Sequence, residues 1–385
     1  MDRDTIFSTL SQVGSNVRLQ EGIYGLIKFL AVIDRYPHSS MINISKESGF
    51  PIPICVAIRN ELVKIKWCSK ESKGTSVTEL GSKALFELGR FNKSFSCSNC
   101  ENGLTFPIEN YKEIIEKLRA LTDLRGPPNT VIDQSFATTE TSLVRVLTMG
   151  DNYDLFFRNY AFVGDSDLTS IALALLIGSK SRITVFDIDT RIRDIIEKAN
   201  EEHNFDIIFV EHDLRTSIPE EYRNKYDCFV TDPPYTIDGL NLFISRGIEL
   251  INNSTGGVGY LSFGNKPPND QLLMQKNLSK MRCLITHIFA RFNEYIGAQK
   301  LGGVSNFYRM QILSGAKPII DNNYEGFLYT GERKPTKRLY QCKNCKIEIE
   351  VGQNQKFVTI EQLKEVGCPE CKKYIFQKKR ERKAE

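Results

Sequence analysis

The first quarter of the chain places its apolar residues at the spacing of amphipathic helices. Within residues 22–36 they recur every three or four positions: Ile23, Leu26, Ile27, Leu30 and Ile33. This spacing predicts a helix with one buried face. A second helix is predicted over 54–65, and residues 67–89 predict a polar turn, a short strand and a closing helix. This order of elements predicts a winged helix in residues 1–90, a module that binds DNA in some proteins and mediates dimerisation or substrate presentation in others.

A polar connector is predicted over residues 91–130. It contains the pair Cys97-x-x-Cys100, a helix near 111–121 and a linker rich in glycine and proline at 126–130. No second C-x-x-C pair lies nearby, so the two cysteines are either reduced thiols or zinc ligands that a partner completes.

From residue 131 to residue 316 short apolar runs alternate with amphipathic stretches. The apolar runs have the length of strands and occur at 160–167, 182–189, 206–214, 227–236 and 256–265. This alternation predicts an α/β domain with a doubly wound, Rossmann-like sheet of the methyltransferase type. Ligands of such sheets bind outside the carboxyl ends of the strands.

Acidic residues stand where the first four of these strands end. They are Asp165, Asp167, Asp187, Asp189, Asp213 and Asp232. An acid at the end of the second strand suits a ribose diol, Asp213 is placed for an adenine amino group, and Gly164 allows close approach of the backbone to a ligand. The sequence therefore predicts a nucleoside cofactor bound by Gly164, Asp165, Asp187, Asp189 and Asp213. The alternative is that each acid caps the helix that follows it.

The fourth strand ends in the tetrapeptide Asp232-Pro233-Pro234-Tyr235. Two prolines fix φ and remove N–H donors, so carbonyl groups remain free to face the crevice. Asp232 and a proline carbonyl can each accept an N–H bond from an amine and thereby aim its lone pair. Tyr235 can stack on a flat substrate or flank a cation. The tetrapeptide resembles the D/N-P-P-Y motif of S-adenosylmethionine-dependent amino-methyltransferases; the alternative is a rigid turn.

Five short motifs together resemble a narrower family, branched-chain polyamine synthase. They are G-D-S-D-L-T-S (164–170), V-F-D-I-D (185–189), D-L-R (213–215), T-D-P-P (231–234) and R-F-N-E-Y (291–295). The resemblance implies transfer of aminopropyl groups from decarboxylated S-adenosylmethionine to a polyamine nitrogen, which makes N4-bis(aminopropyl)spermidine. A site for such cations should be rich in carboxylates and poor in arginine.

The expected catalytic residues are Asp232, which orients the amine, and Asp165 or Asp167, which receives the proton. Asn293 and Glu294 are expected to hold a terminal ammonium, unless their segment is an exposed helix without a role.

Two positions depart from the family pattern. Ser166 stands where the family usually has an acid, and Tyr235 stands where it often has Glu. Both changes remove negative charge, so either the amine is less cationic or the remaining acids suffice.

Residues 317–385 contain a second metal-type motif and a basic tail. The pairs Cys342-x-x-Cys345 and Cys368-x-x-Cys371 are separated by 22 residues. This pattern predicts a zinc ribbon in which four cysteines hold a structural zinc. A site with four protein ligands has no open position, so no catalysis is expected there.

Composition adds few constraints. The 385 residues carry a formal net charge of +4 and ten cysteines. The N-terminus lacks a signal peptide and no apolar stretch is long enough for a membrane span, so a cytoplasmic protein without a membrane partner is expected. A small-molecule amine is the expected substrate and the chain is compatible with a homodimer. Two alternatives stay open: a methyltransferase acting on a nucleic-acid base or other amine, and a DNA-binding regulator that senses a metabolite in its crevice.

Overall fold

The computed structural model of the chain has two compact units. The larger comprises Met1–Pro128 and Ser135–Glu325, and the smaller comprises Asn129–Gln134 and Gly326–Glu385. The residues that the structure describes are 2–72, 74–89, 106–129, 134–155, 158–252, 256–296, 303–329, 338–352, 355–357 and 360–379. Cys97 and Cys100 lie outside the described residues.

The N-terminal part of the larger unit has the element order of a winged helix. Its elements are α1 (Arg3–Val17), α2 (Gly22–Arg35), α3 (Met41–Ser48), α4 (Ile52–Lys64), β1 (Cys68–Glu71), β2 (Gly74–Val77) and α5 (Glu79–Glu87). β1 and β2 form an antiparallel hairpin, and Ser39 pairs with Thr75 beside it. Leu26, Ile27 and Leu30 of α2 are fully buried, as the helical spacing predicts.

Local sequence explains the turn between α3 and α4. The Ser40 side chain accepts a hydrogen bond from the Asn43 N–H and caps α3. Gly49 ends α3 in the left-handed region at φ 78°, where glycine carries no steric penalty. Pro51 and Pro53 then stand at the start of α4, where a missing N–H costs no helical bond.

A mixed sheet forms the rest of the larger unit. Among the described residues its strands are β3 (Tyr160–Val163), β4 (Ile183–Asp187), β5 (Ile207–Glu211), β6 (Cys228–Thr231), β7 (Val258–Phe263), β8 (Cys283–Glu294) and β9 (Val304–Ile312). They lie in the order β5-β4-β3-β6-β7-β9-β8. The first five are parallel to one another, whereas β9 runs antiparallel to β7 and β8. The five strands predicted from apolar runs are β3 to β7, so the doubly wound α/β fold is confirmed.

Helices cover both faces of this sheet. They are α6 (Lys112–Thr122), α7 (Thr139–Asp151), α8 (Thr169–Ile177), α9 (Thr190–His203), α10 (Ile237–Leu250) and α11 (Pro268–Lys280). No helix in the described part of the chain is long and apolar enough to cross a membrane.

The structure differs from the predicted segment boundaries at two places. Ile115, Leu118 and Leu121 of α6 are buried in the same core as β3 and β4, so this connector helix packs with the sheet. Beyond residue 316, Arg246 of α10 donates hydrogen bonds to the Ile320 and Asn322 carbonyls. The α/β core therefore extends beyond the segment 131–316 at both ends.

The smaller unit contains a three-stranded sheet and one helix in its described residues. They are β10 (Arg338–Cys342), β11 (Glu348–Val351), α12 (Ile360–Val366) and β12 (Phe376–Lys378), with β10 in the centre of the sheet. Its buried apolar residues are few and include Tyr340, Ile349, Val351, Phe357 and Leu363. So small a core needs another source of stability, which a metal ion supplies in zinc ribbons.

A buried ion cluster joins the winged helix to the sheet. The Asp154 carboxylate accepts hydrogen bonds from Arg158 at 2.8 Å, Arg309 at 2.7 Å and the Tyr260 hydroxyl at 2.6 Å. The Arg158 guanidinium lies 3.8 Å from the ring centroid of Tyr24 in α2. Burial alone raises the pKa of the Asp154 carboxyl, but the guanidiniums of Arg309 and Arg158 outweigh burial and hold this pKa at about 2.

We expect Asp154→Ala to lower the free energy of unfolding by about 3–5 kcal/mol, because Arg158 and Arg309 would be left buried without an anion. Urea denaturation measures this loss. The exposed Asp194→Ala is the control and should change stability by less than about 0.5 kcal/mol. Because the folded-state pKa of Asp154 lies below its ordinary value, its contribution should be complete above pH ~4 and disappear as the pH falls through ~2. Equal losses in both variants, or a loss that does not depend on acid, would contradict this role.

Candidate active site

The loop after β3 is built around a glycine and a capping acid. Gly164 has φ 74°, and a Cβ atom there would lie 3.3 Å from the Phe243 ring, so a side chain would be both strained and crowded. The Asp165 carboxylate accepts the backbone N–H groups of Thr169 at 2.9 Å and Ser170 at 3.1 Å. Asp165 therefore accepts hydrogen bonds from N–H groups in the first turn of α8, as the capping alternative predicts. Burial raises the pKa of Asp165 to about 8.

Asp187, at the end of β4, holds two loops together. One carboxylate oxygen accepts the Asp165 N–H at 2.8 Å and the other accepts the Asp189 N–H at 2.9 Å. Asp187 is 7% exposed, and this burial raises its pKa. The residue predicted to bind ribose thus also fixes the backbone of the β3 and β4 loops.

The other two acids predicted on the cofactor side are paired with arginines. Asp189 caps α9 through the Arg191 N–H, and the Arg191 guanidinium lies 2.6 Å from its carboxylate. Asp213 forms the same kind of pair with Arg215, at 2.7 Å. Both acids stand at the sheet edge where they were predicted.

The centre of the site is Arg145 of α7, which the sequence analysis missed. This guanidinium is 2% exposed and donates hydrogen bonds to Asp167 at 2.7 Å, Asp232 at 2.8 Å and the Asn293 amide oxygen at 2.8 Å. An arginine-poor site was expected, and the structure corrects this: the two carboxylates lie close together because a cation lies between them. One signal could have located it, since Arg145 interrupts the apolar run around Leu143, Val146 and Leu147.

The two carboxylates bound by Arg145 differ in whether both of their oxygens accept hydrogen bonds. In Asp167, one oxygen accepts from Arg145 and the other accepts the Ala137 N–H at 2.6 Å. In Asp232, Arg145 and the Tyr295 hydroxyl both donate to Oδ2, the latter at 2.6 Å. Among the described residues no hydrogen bond reaches Asp232 Oδ1.

The exposure and pKa of Asp232 also set it apart. Its side chain is 18% exposed, against 4% for Asp167. Burial raises the pKa of Asp232 to about 7, an effect that the Arg145 guanidinium opposes and the Asp167 carboxylate reinforces. Asp232 is therefore the accessible member of the cluster, and its raised pKa favours the uptake of a proton.

The proline turn after β6 presents one carbonyl rather than two. The Pro234 carbonyl accepts the Thr236 N–H at 2.7 Å. In the described part of the chain no donor is bonded to the Pro233 carbonyl. The Tyr235 hydroxyl donates to the Tyr295 hydroxyl at 2.7 Å, which places Tyr235 beside the Asp232 cluster.

Residues 291–294 of the segment R-F-N-E-Y lie in β8 rather than in a helix, and Tyr295 follows the strand directly. Asn293 is fully buried, and its amide is bonded to Arg145 and to Ser305. The Glu294 side chain is exposed, and its backbone carbonyl accepts the Thr138 N–H at 2.9 Å. Tyr295 reaches the site instead. Because strand side chains alternate, Asn293 and Tyr295 share a face that Glu294 does not.

The smaller unit brings together the four cysteines predicted to bind zinc. All four sulfur atoms lie within 4.8 Å of one another, and the Cys342–Cys371 and Cys345–Cys368 sulfur pairs are each 3.5 Å apart. Tetrahedral zinc at roughly 2.3 Å from each sulfur places the sulfurs about 3.8 Å apart, so the observed spacing fits this ion.

Comparison with known proteins identifies relatives. The family described as branched-chain polyamine synthase A C-terminal domain matches residues 113–365. An uncharacterized protein of Methanocaldococcus jannaschii is 34% identical over 361 residues, which cover 93% of this chain and 91% of that one. The N(4)-bis(aminopropyl)spermidine synthase of Thermococcus kodakarensis is 32% identical over 261 residues, which cover 66% of this chain and 73% of that one.

A solved structure shares the fold. The branched-chain polyamine synthase from Thermus thermophilus, in complex with N4-aminopropylspermidine and 5′-methylthioadenosine, matches with a TM-score of 0.53 at 22% identity. The match covers 84% of this chain and 98% of that one. The resemblance carried by the five sequence motifs is thereby confirmed, and the chain belongs to the branched-chain polyamine synthase A family.

Proposed function

We propose that this protein is an aminopropyltransferase that moves an aminopropyl group from decarboxylated S-adenosylmethionine to a polyamine nitrogen. The observation that carries the proposal is the difference between the two carboxylate oxygens of Asp232. Arg145 and Tyr295 hold one of its oxygens, and the other oxygen has no donor among the described residues; the same is true of the carbonyl of the next residue, Pro233. The names of the relatives from Thermococcus kodakarensis and Thermus thermophilus support the same reaction.

A neutral secondary amine, such as the central nitrogen of spermidine, carries one N–H, which Asp232 Oδ1 or the Pro233 carbonyl can accept, and its lone pair then points away from that acceptor. When bound, the donor supplies a methylene carbon next to a sulfonium; that carbon accepts the lone pair, and the electrons of the broken C–S bond stay on sulfur. After transfer to a secondary amine the nitrogen carries a positive charge and one proton, which Asp232 Oδ1 takes. A second transfer, to the resulting tertiary amine, gives a quaternary ammonium that has no proton to lose. The raised pKa of Asp232 makes its carboxylate a stronger acceptor for this proton.

Asp165 and Asp167 have positioning roles in this mechanism, in place of the proton-accepting role expected from the sequence. Each has both carboxylate oxygens bonded within the protein. Asp165 fixes the start of α8, and Asp167 fixes Arg145, which in turn orients Asp232.

On the donor side we propose that Asp187, Asp189 and Asp213 receive the nucleoside, with Gly164 allowing its close approach. These four residues stand at the carboxyl ends of neighbouring parallel strands, where ligands of this fold class bind.

The function is tested by mass spectrometry of products. We expect decarboxylated S-adenosylmethionine and spermidine to give a product heavier by one or two aminopropyl units. Asp232→Asn should keep the fold and the donor affinity but lose at least ~100-fold in rate, because the amide cannot take the proton. Asp238→Asn, an exposed change in α10, is the matched control. Methylation of DNA or RNA by S-adenosylmethionine, without aminopropylation of any amine, would instead support the methyltransferase alternative that the D-P-P-Y motif favours.

The donor site is tested by calorimetry with methylthioadenosine. We expect Asp187→Ala to weaken binding by about 2–4 kcal/mol. It removes the proposed charge-assisted hydrogen bonds to the ribose and releases the backbone N–H groups of Asp165 and Asp189. Asp189→Ala should also weaken binding, whereas Asp206→Ala, an exposed change before β5, should not. Unchanged affinity in Asp187→Ala would place the nucleoside elsewhere.

We further propose that Cys342, Cys345, Cys368 and Cys371 hold one structural zinc ion. The purified protein should contain about one zinc per chain, and Cys368→Ser should lose it because three sulfur ligands bind zinc more weakly than four. The buried Cys283→Ser, outside this cluster, is the control. Full zinc retention in Cys368→Ser would contradict the four-cysteine assignment.

A further inference from the structure

The end of β7 places a lysine against the proline turn. Lys266 follows this strand after two residues and is partly buried. Its ammonium donates a hydrogen bond to the backbone carbonyl of Tyr235 and lies 5.5 Å from the ring centroid of Phe263. A carbonyl oxygen together with an aromatic face is an environment that binds ammonium groups. The chain's own ammonium therefore occupies a position suited to an ammonium of a substrate.

This position lies within reach of the amine site. Tyr235 is three residues after Asp232, so the two Cα atoms are at most about 11 Å apart. The Tyr235 hydroxyl is also linked to Asp232 through the Tyr295 hydroxyl, by bonds of 2.7 and 2.6 Å. In a polyamine only a few methylene groups separate one nitrogen from the next. An acceptor bound at Asp232 would bring its neighbouring nitrogen near Lys266 when it extends in this direction.

Lys266 adds positive charge beside this turn, where Arg145 already neutralises charge on Asp167 and Asp232. Burial lowers the pKa of Lys266, and Asp270 opposes that effect. Two positive groups thus flank the turn that would hold an amine. An acceptor with several remote ammonium groups meets repulsion here that a less charged acceptor avoids.

We propose that Lys266 is a specificity-determining residue: it keeps the ammonium groups of the acceptor, other than the reacting nitrogen, away from the Tyr235 carbonyl. The acceptor site therefore favours amines with fewer positive charges over longer, more highly charged ones. This inference rests on the proposed aminopropyl transfer and concerns only the choice of acceptor.

The test compares acceptors that share one reacting nitrogen and differ in remote charge. They are spermidine and its two analogues in which one terminal amine is replaced by a methyl group. With decarboxylated S-adenosylmethionine, the wild-type protein should show a higher kcat/KM for at least one analogue than for spermidine. Lys266→Ala should move this ratio towards spermidine by at least about tenfold, because it removes the repulsion and frees the carbonyl.

Two further variants separate charge from structural damage. Lys266→Arg keeps the charge and should keep the wild-type ratio, and Lys276→Ala removes an exposed charge from α11 and should also keep it. A ratio that is the same in the wild-type protein and Lys266→Ala, with product still formed, would overturn the role of Lys266 and leave the aminopropyl transfer intact. An Arg variant that behaves like the Ala variant would overturn it too. Absence of product with all three acceptors in the wild-type protein would count against the proposed function itself.

Discussion

The site depends on one buried arginine. Two carboxylates brought together away from water repel each other and favour their protonated forms, and a cation between them offsets part of both penalties. Arg145 does so with a planar guanidinium, whose separate N–H groups reach Asp167, Asp232 and the Asn293 amide at the same time. A lysine ammonium has no such fork and could not fix three partners in one plane. Through these bonds, α7 sets the relative positions of the β3 loop, the β6 loop and β8.

This arrangement also explains how Asp232 can be held firmly and still act. Its Oδ2 atom accepts from both Arg145 and Tyr295, which fixes the orientation of the carboxylate. The other oxygen then points to a defined place without being used within the described structure. The prolines complete the arrangement, since Pro234 closes the turn through Thr236 and Pro233 keeps its carbonyl available. Catalysis by positioning requires a carboxylate that is firmly oriented and still has one oxygen available to the substrate.

The parts of the fold that the sequence predicted are those with continuous local patterns. β3, β6 and β7 are buried along their whole length, so they appear as apolar runs bounded by glycine, acid or proline. β8 is different, because as an edge strand it exposes most of its residues and its sequence shows no continuous run. The same reason explains why no strand was predicted at R-F-N-E-Y. Had a strand been assigned there, alternation would have placed Asn293 and Tyr295 on one face and Glu294 on the other.

The charge of the site was harder to predict than its shape. The acids directly follow the strands, so they can be counted from the sequence motifs. The basic residues that pair with them are either close in the sequence or come from distant elements of the fold. Arg191 and Arg215 stand two residues after Asp189 and Asp213, and these local pairs can be recognised in the sequence. Arg145 and Lys266 arrive from α7 and from the end of β7, and only the fold brings them to Asp232 and Tyr235. The motifs therefore give the number of carboxylates, whereas the effective charge that an amine meets is decided by cations elsewhere in the chain. For a cationic acceptor this difference bears directly on which amine binds.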